Sequence, residues 1–216
     1  AEDGIRDCLL SRGLGDVYKR QTLRHLKDNL IQPLLDRKIS FHVIIGNHDV
    51  PYKNTNDINS MAELFDRHKV KYYSEPEVVT FDSTDILFVP WINTSNYAKS
   101  LDLIKTTNAQ ICMGHLEIAG CTLMRGITSD HGISIDTFKN FDIVCSGHFH
   151  TKSTSNNVYY LGTQYELTWS DYQDPKGFHI FDTNTREIEM IRNPYRMFHK
   201  VFYDDVNLSL IHISEP

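Results

Sequence analysis

Three apolar segments of the sequence each run into a glycine that is followed by polar side chains. They end in Gly-Asn-His-Asp at residues 46–49, in Gly-His at 114–115 and in Gly-His-Phe-His at 147–150. A glycine permits the abrupt turn that such an ending requires. Ligands of layered α/β proteins bind beyond the carboxyl ends of strands, so we predict that the three endings meet at one pocket. The candidate site residues are Asn47, His48, His115, His148 and His150.

These side chains have the chemistry of metal ligands. Neutral imidazole binds zinc, manganese and iron, and an amide oxygen suits the harder ions of that group. His148 and His150 are two residues apart, so in an extended segment they project the same way, about 6–7 Å apart. Two ions about 3.5–4 Å apart would then each receive one of the two imidazoles.

Each motif taken alone has a simpler structural interpretation. Gly114-His115 is typical of a turn with an exposed imidazole, and His48 is compatible with a helix or turn cap. The metal hypothesis depends on the occurrence of all three endings in this order, each after an apolar strand.

The sequence between the motifs predicts helices and strands that alternate early, with strands dominating late. Apolar spacing predicts helices at 22–38, 58–69 and 95–107. Short apolar runs bounded by turn residues predict the strands. The predicted strands cover residues 39–46, 70–75, 77–81, 85–91, 109–115, 141–150, 158–163, 176–183 and 187–193. The last three are expected to be antiparallel, with a hairpin around 183–185. This order favours two packed sheets with helices outside.

The order GNHD, GH and GHFH resembles the calcineurin-like metallophosphoesterases. More narrowly, the strings FHVIIGNHDVPYKN, FDIVCSGHFHTKS and NPYRMFHKVFYDD resemble the DNA repair and recombination nucleases of the SbcD type, which include phage recombination endonuclease subunits. The resemblance covers about Leu23 to Asp205. It implies a four-layer α/β fold, in which two mixed β-sheets lie between helices, and a dinuclear metal centre that usually holds manganese.

The resemblance also implies a role for each site residue. Asn47, His115 and His148 would hold one ion, and His150 would hold the other. His48 would sit beside them as the catalytic residue, assisting the scissile phosphate or protonating the leaving oxygen. Asp49 would orient His48 or close the turn, and it is not expected to be a ligand. Two ions so held suit in-line hydrolysis of a phosphodiester.

The chain departs from the family pattern at its start. The family has two earlier motifs, Asp-x-His and Gly-Asp-x-x-Asp, of which the second supplies a bridging carboxylate. Neither occurs upstream of Thr22, where the family register places them, and Gly15-Asp16 is followed by Lys19 where the second aspartate belongs. We therefore expect the first strands to be missing. We also expect three of the four ligands of one ion and one of the four ligands of the other, and a chain that is inactive on DNA by itself.

Both ends of the chain have an unusual sequence. Residues 1–21 show no clean helical or strand period and resemble translated sequencing-adapter read-through, and residues 207–216 resemble the adapter of the other side. We expect a partial metallophosphoesterase nuclease domain at 22–206, with non-native ends that take no part in the fold. The alternative is a genuine N-terminal segment of odd sequence.

Composition limits the other classes of function. The formal charge is −6, from 22 basic and 28 acidic residues, so DNA binding would depend on a local basic patch or on bound cations. No stretch approaches the roughly 18 apolar residues of a membrane span, and no leader resembles a signal peptide. The cysteines form no C-x-x-C pair, which predicts neither a zinc knuckle nor a disulfide framework and favours a reducing cytoplasm.

Three functional hypotheses remain. The leading one is a metal-dependent DNA exonuclease or endonuclease of repair or phage recombination. The second is a phosphatase or nucleotide phosphodiesterase of the same superfamily, which shares the metal motifs but not the NPYRMFHKVFYDD close. The third is a non-catalytic scaffold, although scaffolds tend to lose the histidines that this chain keeps. The resemblance implies three partners for the parent protein, namely DNA, a coiled-coil ATPase subunit and a second nuclease copy. We expect the chain alone not to retain the ATPase, and no membrane partner.

Overall fold

The computed structural model of the protein describes residues 21–65, 70–124 and 126–201. Most of the predicted adapter-like leader and the whole predicted tail lie outside the described residues. The last part of the helix predicted at 58–69 and the end of the string NPYRMFHKVFYDD also lie outside them.

The described residues form a mixed α/β structure. Helix α1 covers residues 21–36 and contains a π-helical segment at Lys27–Ile31, helix α2 is Ser60–Leu64, and helix α3 is Tyr97–Thr106. Short 3-10 turns occur at Ile135–Phe138 and Trp169–Asp171. The strands are β1 (His42–Ile44), β2 (Lys71–Tyr73), β3 (Glu77–Phe81), β4 (Thr84–Val89), β5 (Ile111–Gly114), β6 (Ile118–Ala119), β7 (Thr122–Met124), β8 (Ile127–Thr128), β9 (Ile133–Ser134), β10 (Ile143–Ser146), β11 (Ser153–Ser155), β12 (Val158–Tyr160), β13 (Gly177–Phe181) and β14 (Ile188–Arg192).

A six-stranded mixed sheet lies at the centre, with the spatial order β11-β12-β10-β5-β4-β3. Strands β12, β10, β5 and β4 run parallel, and the two edge strands are antiparallel to their neighbours. The carboxyl ends of β5 and β10 are in register, because Ser146 pairs with Gly114. The residues that follow these two strands therefore emerge side by side at one edge of the sheet.

Both faces of this sheet are buried. Leu87 and Cys112 point into one apolar cluster, and the neighbouring Ile86 and Ile111 point into another. A strand buried on both faces needs a continuous apolar run, which is what β4, β5 and β10 have in sequence. The first cluster also contains Ile104 of α3, so a helix covers that face.

The second face packs against two small strand pairs. Strands β1 and β2 pair in parallel, and β13 and β14 form an antiparallel hairpin. Ile44, Tyr73, Phe181 and Ile188 from these pairs belong to the cluster on the second face. Helix, sheet and strand pairs thus stack in layers, which confirms the predicted α/β class and the packing of strands on both sides of one apolar layer.

Two hydrogen bonds bring β1 to the edge where β4 ends. The Ile45 N–H donates to the carbonyl of Tyr73 at 3.1 Å, and the Trp91 N–H donates to the carbonyl of Ile45 at 2.8 Å. Within the described residues, β1 pairs with β2 alone. The end of β1 therefore joins the ends of β4, β5 and β10 at the same edge.

Most of the predicted elements are confirmed, and one prediction is wrong. Asn59 caps α2, since its side chain accepts a hydrogen bond from the Ala62 N–H. The β13–β14 hairpin also occurs where it was predicted. Strand β12 was expected to be antiparallel with the late strands, but it lies parallel to β10 in the central sheet. The unpredicted strand β11 makes this possible, because it reverses the chain before β12, and the buried Val158 and Tyr160 then complete the core.

None of the described helices combines the length and the apolar character that crossing a membrane would require.

Candidate metal centre

The side chains of Asn47 and His115 meet where β1 and β5 end. His115 Nε2 lies 2.8 Å from the amide oxygen of Asn47, which is the distance of a hydrogen bond donated by the imidazole. The residues are 68 positions apart in sequence. The first two of the three predicted endings are therefore brought together.

Two of the predicted glycines leave room for the His115 ring. A Cβ at Gly46 would lie 2.9 Å from His115 Cε1, closer than side-chain carbons approach in proteins. A Cβ at Gly147 would lie 3.3 Å from His115 Nδ1. The imidazole thus lies directly on the backbone of both neighbouring turns, and this close approach explains the glycines better than turn geometry alone.

The third ending completes the group. The ring centroids of His115 and His148 are 5.2 Å apart. His148 has a positive φ of 81°, a left-handed conformation that is uncommon for a residue with a side chain and costs free energy. A cavity of about 470 Å³ is lined by all five predicted site residues, Asn47, His48, His115, His148 and His150. The predicted convergence of these residues is what the structure shows.

Burial keeps the central imidazoles uncharged. Burial, together with the nearby His148 and His48, lowers the pKa of His115 to about 4. Burial also lowers the pKa of His148, against the carboxylate of Glu117, which raises it. At neutral pH both rings are therefore neutral, and each has one nitrogen lone pair available for a cation.

The donor chemistry fits a divalent ion. Zinc-bound nitrogen and oxygen ligands lie about 2.0–2.2 Å from the ion, so adjacent ligands are about 2.8–3.6 Å apart at octahedral to tetrahedral angles. The 2.8 Å between His115 Nε2 and Asn47 Oδ1 is close to that spacing. With its hydrogen on Nδ1, His115 would turn a lone pair toward Asn47, and a shared cation would replace the hydrogen bond. In the described parts of the chain, no three histidine, cysteine, aspartate or glutamate side chains are grouped closely enough to hold an ion.

Asp49 closes the turn, which is one of its two predicted roles. Its Oδ2 accepts a hydrogen bond from the Gly46 N–H at 2.8 Å, and its Oδ1 accepts one from the Ser60 hydroxyl at 3.0 Å. Both carboxylate oxygens are thereby turned toward the backbone and α2. His48 is exposed beside this turn and lines the cavity.

Sequence reasoning missed Trp91, which covers the imidazoles from one side. Its ring centroid lies 5.2 Å from that of His148 and 6.2 Å from that of His115. Its carbonyl accepts hydrogen bonds from Asn56 Nδ2 at 2.8 Å and from Asn96 Nδ2 at 3.0 Å. Trp91 follows a buried strand as the histidines do, so its position at a strand end was the available signal.

Asp171 and Lys176 were also missed. Asp171 lines the same cavity, with its Oδ2 3.5 Å from His150 Nδ1, and Lys176 is buried beside it. No sequence signal pointed to them, because aspartate and lysine are usually exposed and each lies in a loop or at a strand start.

Comparisons with known proteins show the family of this chain. The chain belongs to the calcineurin-like phosphoesterase family, whose profile it matches over residues 13–152. It is 38% identical over 205 residues to exonuclease subunit 1 of Enterobacteria phage T4. That match covers 94% of this chain and 60% of the phage protein, so the chain spans about 60% of the length of this curated relative.

The family match includes part of the predicted adapter-like leader, since it begins at residue 13. Residues 1–20 lie outside the described residues. The domain boundaries at 21 and 207 therefore stay a prediction.

Proposed function

We propose that the site at the ends of β1, β5 and β10 belongs to a metal-dependent nuclease that hydrolyses phosphodiester bonds of DNA. The observation that carries the proposal is the convergence of one asparagine and four histidines from three separate segments on one cavity. Membership of a phosphoesterase family favours phosphate ester hydrolysis. Identity of 38% to a protein named an exonuclease subunit favours DNA as the substrate.

In this proposal Asn47, His115 and His148 hold one divalent ion and His150 holds a second. Two bound ions, with manganese the expected metal, would supply a hydroxide nucleophile and neutralise charge on the phosphoryl oxygens. Because burial lowers the pKa of His115, the ring stays neutral and competition from protons is weak at neutral pH.

His48 is the proposed general acid. It is the exposed member of the group and lines the cavity beside Asn47, so it can reach a substrate that enters from solvent. A protonated imidazole can donate a proton to the leaving oxygen of the cleaved strand. Trp91 packs on the rings of His115 and His148 and limits the access of water to them from its side.

We further propose that the chain by itself cleaves DNA poorly. Its donors toward the first ion are all neutral, and neutral ligands offset a divalent charge less than a carboxylate does. In the described residues, His150 lies beside the carboxylate of Asp171, which already accepts hydrogen bonds from the backbone of Leu167 and Thr168. This carboxylate therefore adds little as a ligand, and the second ion would be held weakly. Partners of the whole protein are proposed to be DNA, a coiled-coil ATPase subunit and a second nuclease copy, in the cytoplasm.

A cleavage screen tests the proposed substrate. The chain, and a chimaera in which the region before Thr22 is replaced by a family member's segment with both upstream motifs, are given manganese. Each is then offered linear duplex DNA, a cyclic nucleotide and p-nitrophenyl phosphate. We expect the chimaera to cleave DNA and to lose that activity in the His148→Ala variant.

Two other results would contradict the proposal. Turnover of the cyclic nucleotide or of p-nitrophenyl phosphate without DNA cleavage would assign the site to another phosphoesterase activity. No turnover of any substrate by a chimaera that binds manganese would favour the non-catalytic scaffold.

A further inference from the structure

A buried group of charges lies directly behind His150. The side chains of Asp171 and Lys176 are 2% and 3% exposed. Charged side chains are rarely buried to this extent unless they are paired and hydrogen-bonded. Lys176 Nζ lies 3.1 Å from Asp171 Oδ1 and 3.0 Å from Asp174 Oδ2. One ammonium therefore joins two carboxylates, which leaves one net negative charge.

This group holds His150 at two points. Lys176 Nζ donates a hydrogen bond of 2.7 Å to the backbone carbonyl of His150. Asp171 Oδ2 lies 3.5 Å from Nδ1 of the imidazole. A carboxylate beside one ring nitrogen favours the hydrogen on that nitrogen. Nδ1 then carries the hydrogen, and Nε2 keeps its lone pair.

Asp171 is not free to bind an ion itself. Its Oδ2 accepts hydrogen bonds from the N–H of Leu167 at 3.0 Å, and from the N–H and the hydroxyl of Thr168 at 2.9 and 3.2 Å. Its Oδ1 accepts from Lys176. Four donors therefore already point at this carboxylate, three at Oδ2 and one at Oδ1. The ammonium of Lys176 and the two backbone N–H donors favour the ionised form of this carboxylate.

We propose that Asp171 and Lys176 are positioning residues, which fix the tautomer and the backbone of His150 and thereby leave Nε2 as the nitrogen available to a divalent ion. The proposal rests on the proposed function, because His150 is a ligand only if the cavity holds a metal. Ligating histidines commonly donate their second N–H to a carboxylate, and loss of that partner weakens metal binding about 10–100-fold.

The test compares Asp171→Asn with Asp174→Asn in the full chain. Both variants remove one of the two carboxylates that pair with Lys176, but only Asp171 faces the His150 ring. Nitrogen-15 NMR of histidine-labelled protein reports the tautomer, with His150→Gln used to assign the signals. We expect the hydrogen on Nδ1 of His150 in the unsubstituted chain and in Asp174→Asn, and loss of this preference in Asp171→Asn.

Manganese provides a second readout on the same samples. Paramagnetic Mn²⁺ broadens the ring signals of nearby histidines, and we expect Asp171→Asn to need about 10–100-fold more Mn²⁺ for the same loss of the His150 signals. Asp174→Asn should behave like the unsubstituted chain. An unchanged tautomer and an unchanged Mn²⁺ requirement in a folded Asp171→Asn variant would overturn the proposal.

The two proposals fail in different ways. A hydrogen on Nε2 of His150 in the unsubstituted chain overturns the positioning role without any variant, even if Asp171→Asn does not fold. If Mn²⁺ broadens none of the signals of His115, His148 and His150 in the unsubstituted chain, the metal site of the proposed function is wrong. In that case the NMR tautomers still report whether Asp171 orients His150.

Discussion

The imidazole of His115 and the amide of Asn47 are 2.8 Å apart, and each projects from the residue just beyond a glycine at a strand end. The contact joins the strand pair β1–β2 to the central sheet. In the state described, the imidazole donates to the amide oxygen. A divalent ion would use the same two atoms as ligands, so the pair defines where the first ion of the proposed centre binds.

Changing Asn47 should alter metal affinity according to charge. Asn47→Ala removes the oxygen, and we expect Mn²⁺ affinity to fall at least about tenfold, since even the loss of a ligand's hydrogen-bond partner costs that much. Asn47→Asp supplies an anionic oxygen at the same place and should bind Mn²⁺ more tightly than the unsubstituted chain. Isothermal titration measures both. Asn184→Ala, in the exposed hairpin turn, is the control. Equal affinity in all four proteins would exclude Asn47 as a ligand.

Adding one methyl group at each turn glycine should displace His115 to different extents. Gly46→Ala places a carbon 2.9 Å from His115 Cε1, and Gly147→Ala places one 3.3 Å from Nδ1. We expect Gly46→Ala to weaken Mn²⁺ binding strongly and Gly147→Ala to weaken it less, because the second contact is relieved by a shift of a few tenths of an ångström. Titration of both variants with Mn²⁺ measures which substitution weakens binding more. The reverse order would contradict the described position of the ring.

Acid should destabilise the fold through His115. Its pKa falls from 6.5 when unfolded to about 4 when folded, so between these values the unfolded chain binds a proton that the folded chain does not. Above the unfolded pKa, His115 makes its full contribution to the free energy of unfolding. This contribution is lost as the pH falls toward the folded pKa, with a slope of up to about 1.4 kcal/mol per pH unit. His115→Gln lacks this group. Urea unfolding across this range should show a shallower pH dependence for the variant, and parallel curves would contradict the prediction.

Tyr160 should be important for the loop that carries His115. Its buried hydroxyl donates to the carbonyl of Leu116 at 2.9 Å and accepts from the Ile118 N–H at 3.1 Å. Tyr160→Phe leaves both backbone groups without this partner, and we expect a loss of about 1–3 kcal/mol in the free energy of unfolding. Tyr159→Phe, on the same strand but only half-buried, is the matched control and should cost less. Urea unfolding of both variants measures the loss in the free energy of unfolding. Equal losses would contradict the role of the Tyr160 hydroxyl.

The convergence of the candidate site residues was easier to predict from the sequence than the pairing within the sheet. Asn47, His115 and His148 each follow an apolar run and a glycine, and the parallel register of β5 and β10 brings such endings to one edge. Which strands pair with each other is harder to predict from the sequence. The segment that contains β12 reads as a short apolar strand in either direction, and its parallel pairing with β10 depends on β11, which is too short and polar to show a period.

The supporting residues could not be predicted for a different reason. The burial of Lys176 results from two carboxylates and one carbonyl that converge only after folding, and neither spacing nor residue type indicates this. Trp91 depends on the side-chain amides of Asn56 and Asn96, which approach from separate segments. Such contacts between distant segments determine the orientation of the candidate ligands, whereas the local pattern indicates only which residues these candidates are.

Pulsed electron paramagnetic resonance of bound Mn²⁺ tests whether the histidines of the cavity hold a metal. The technique detects nitrogen nuclei coordinated to the ion, so the ligands are identified without any assumption about substrate. We predict imidazole nitrogen couplings in the unsubstituted chain, with one lost in His115→Ala and one lost in His148→Ala. Bound Mn²⁺ that shows no nitrogen coupling, or couplings that both substitutions leave unchanged, would contradict a metal centre at these strand ends.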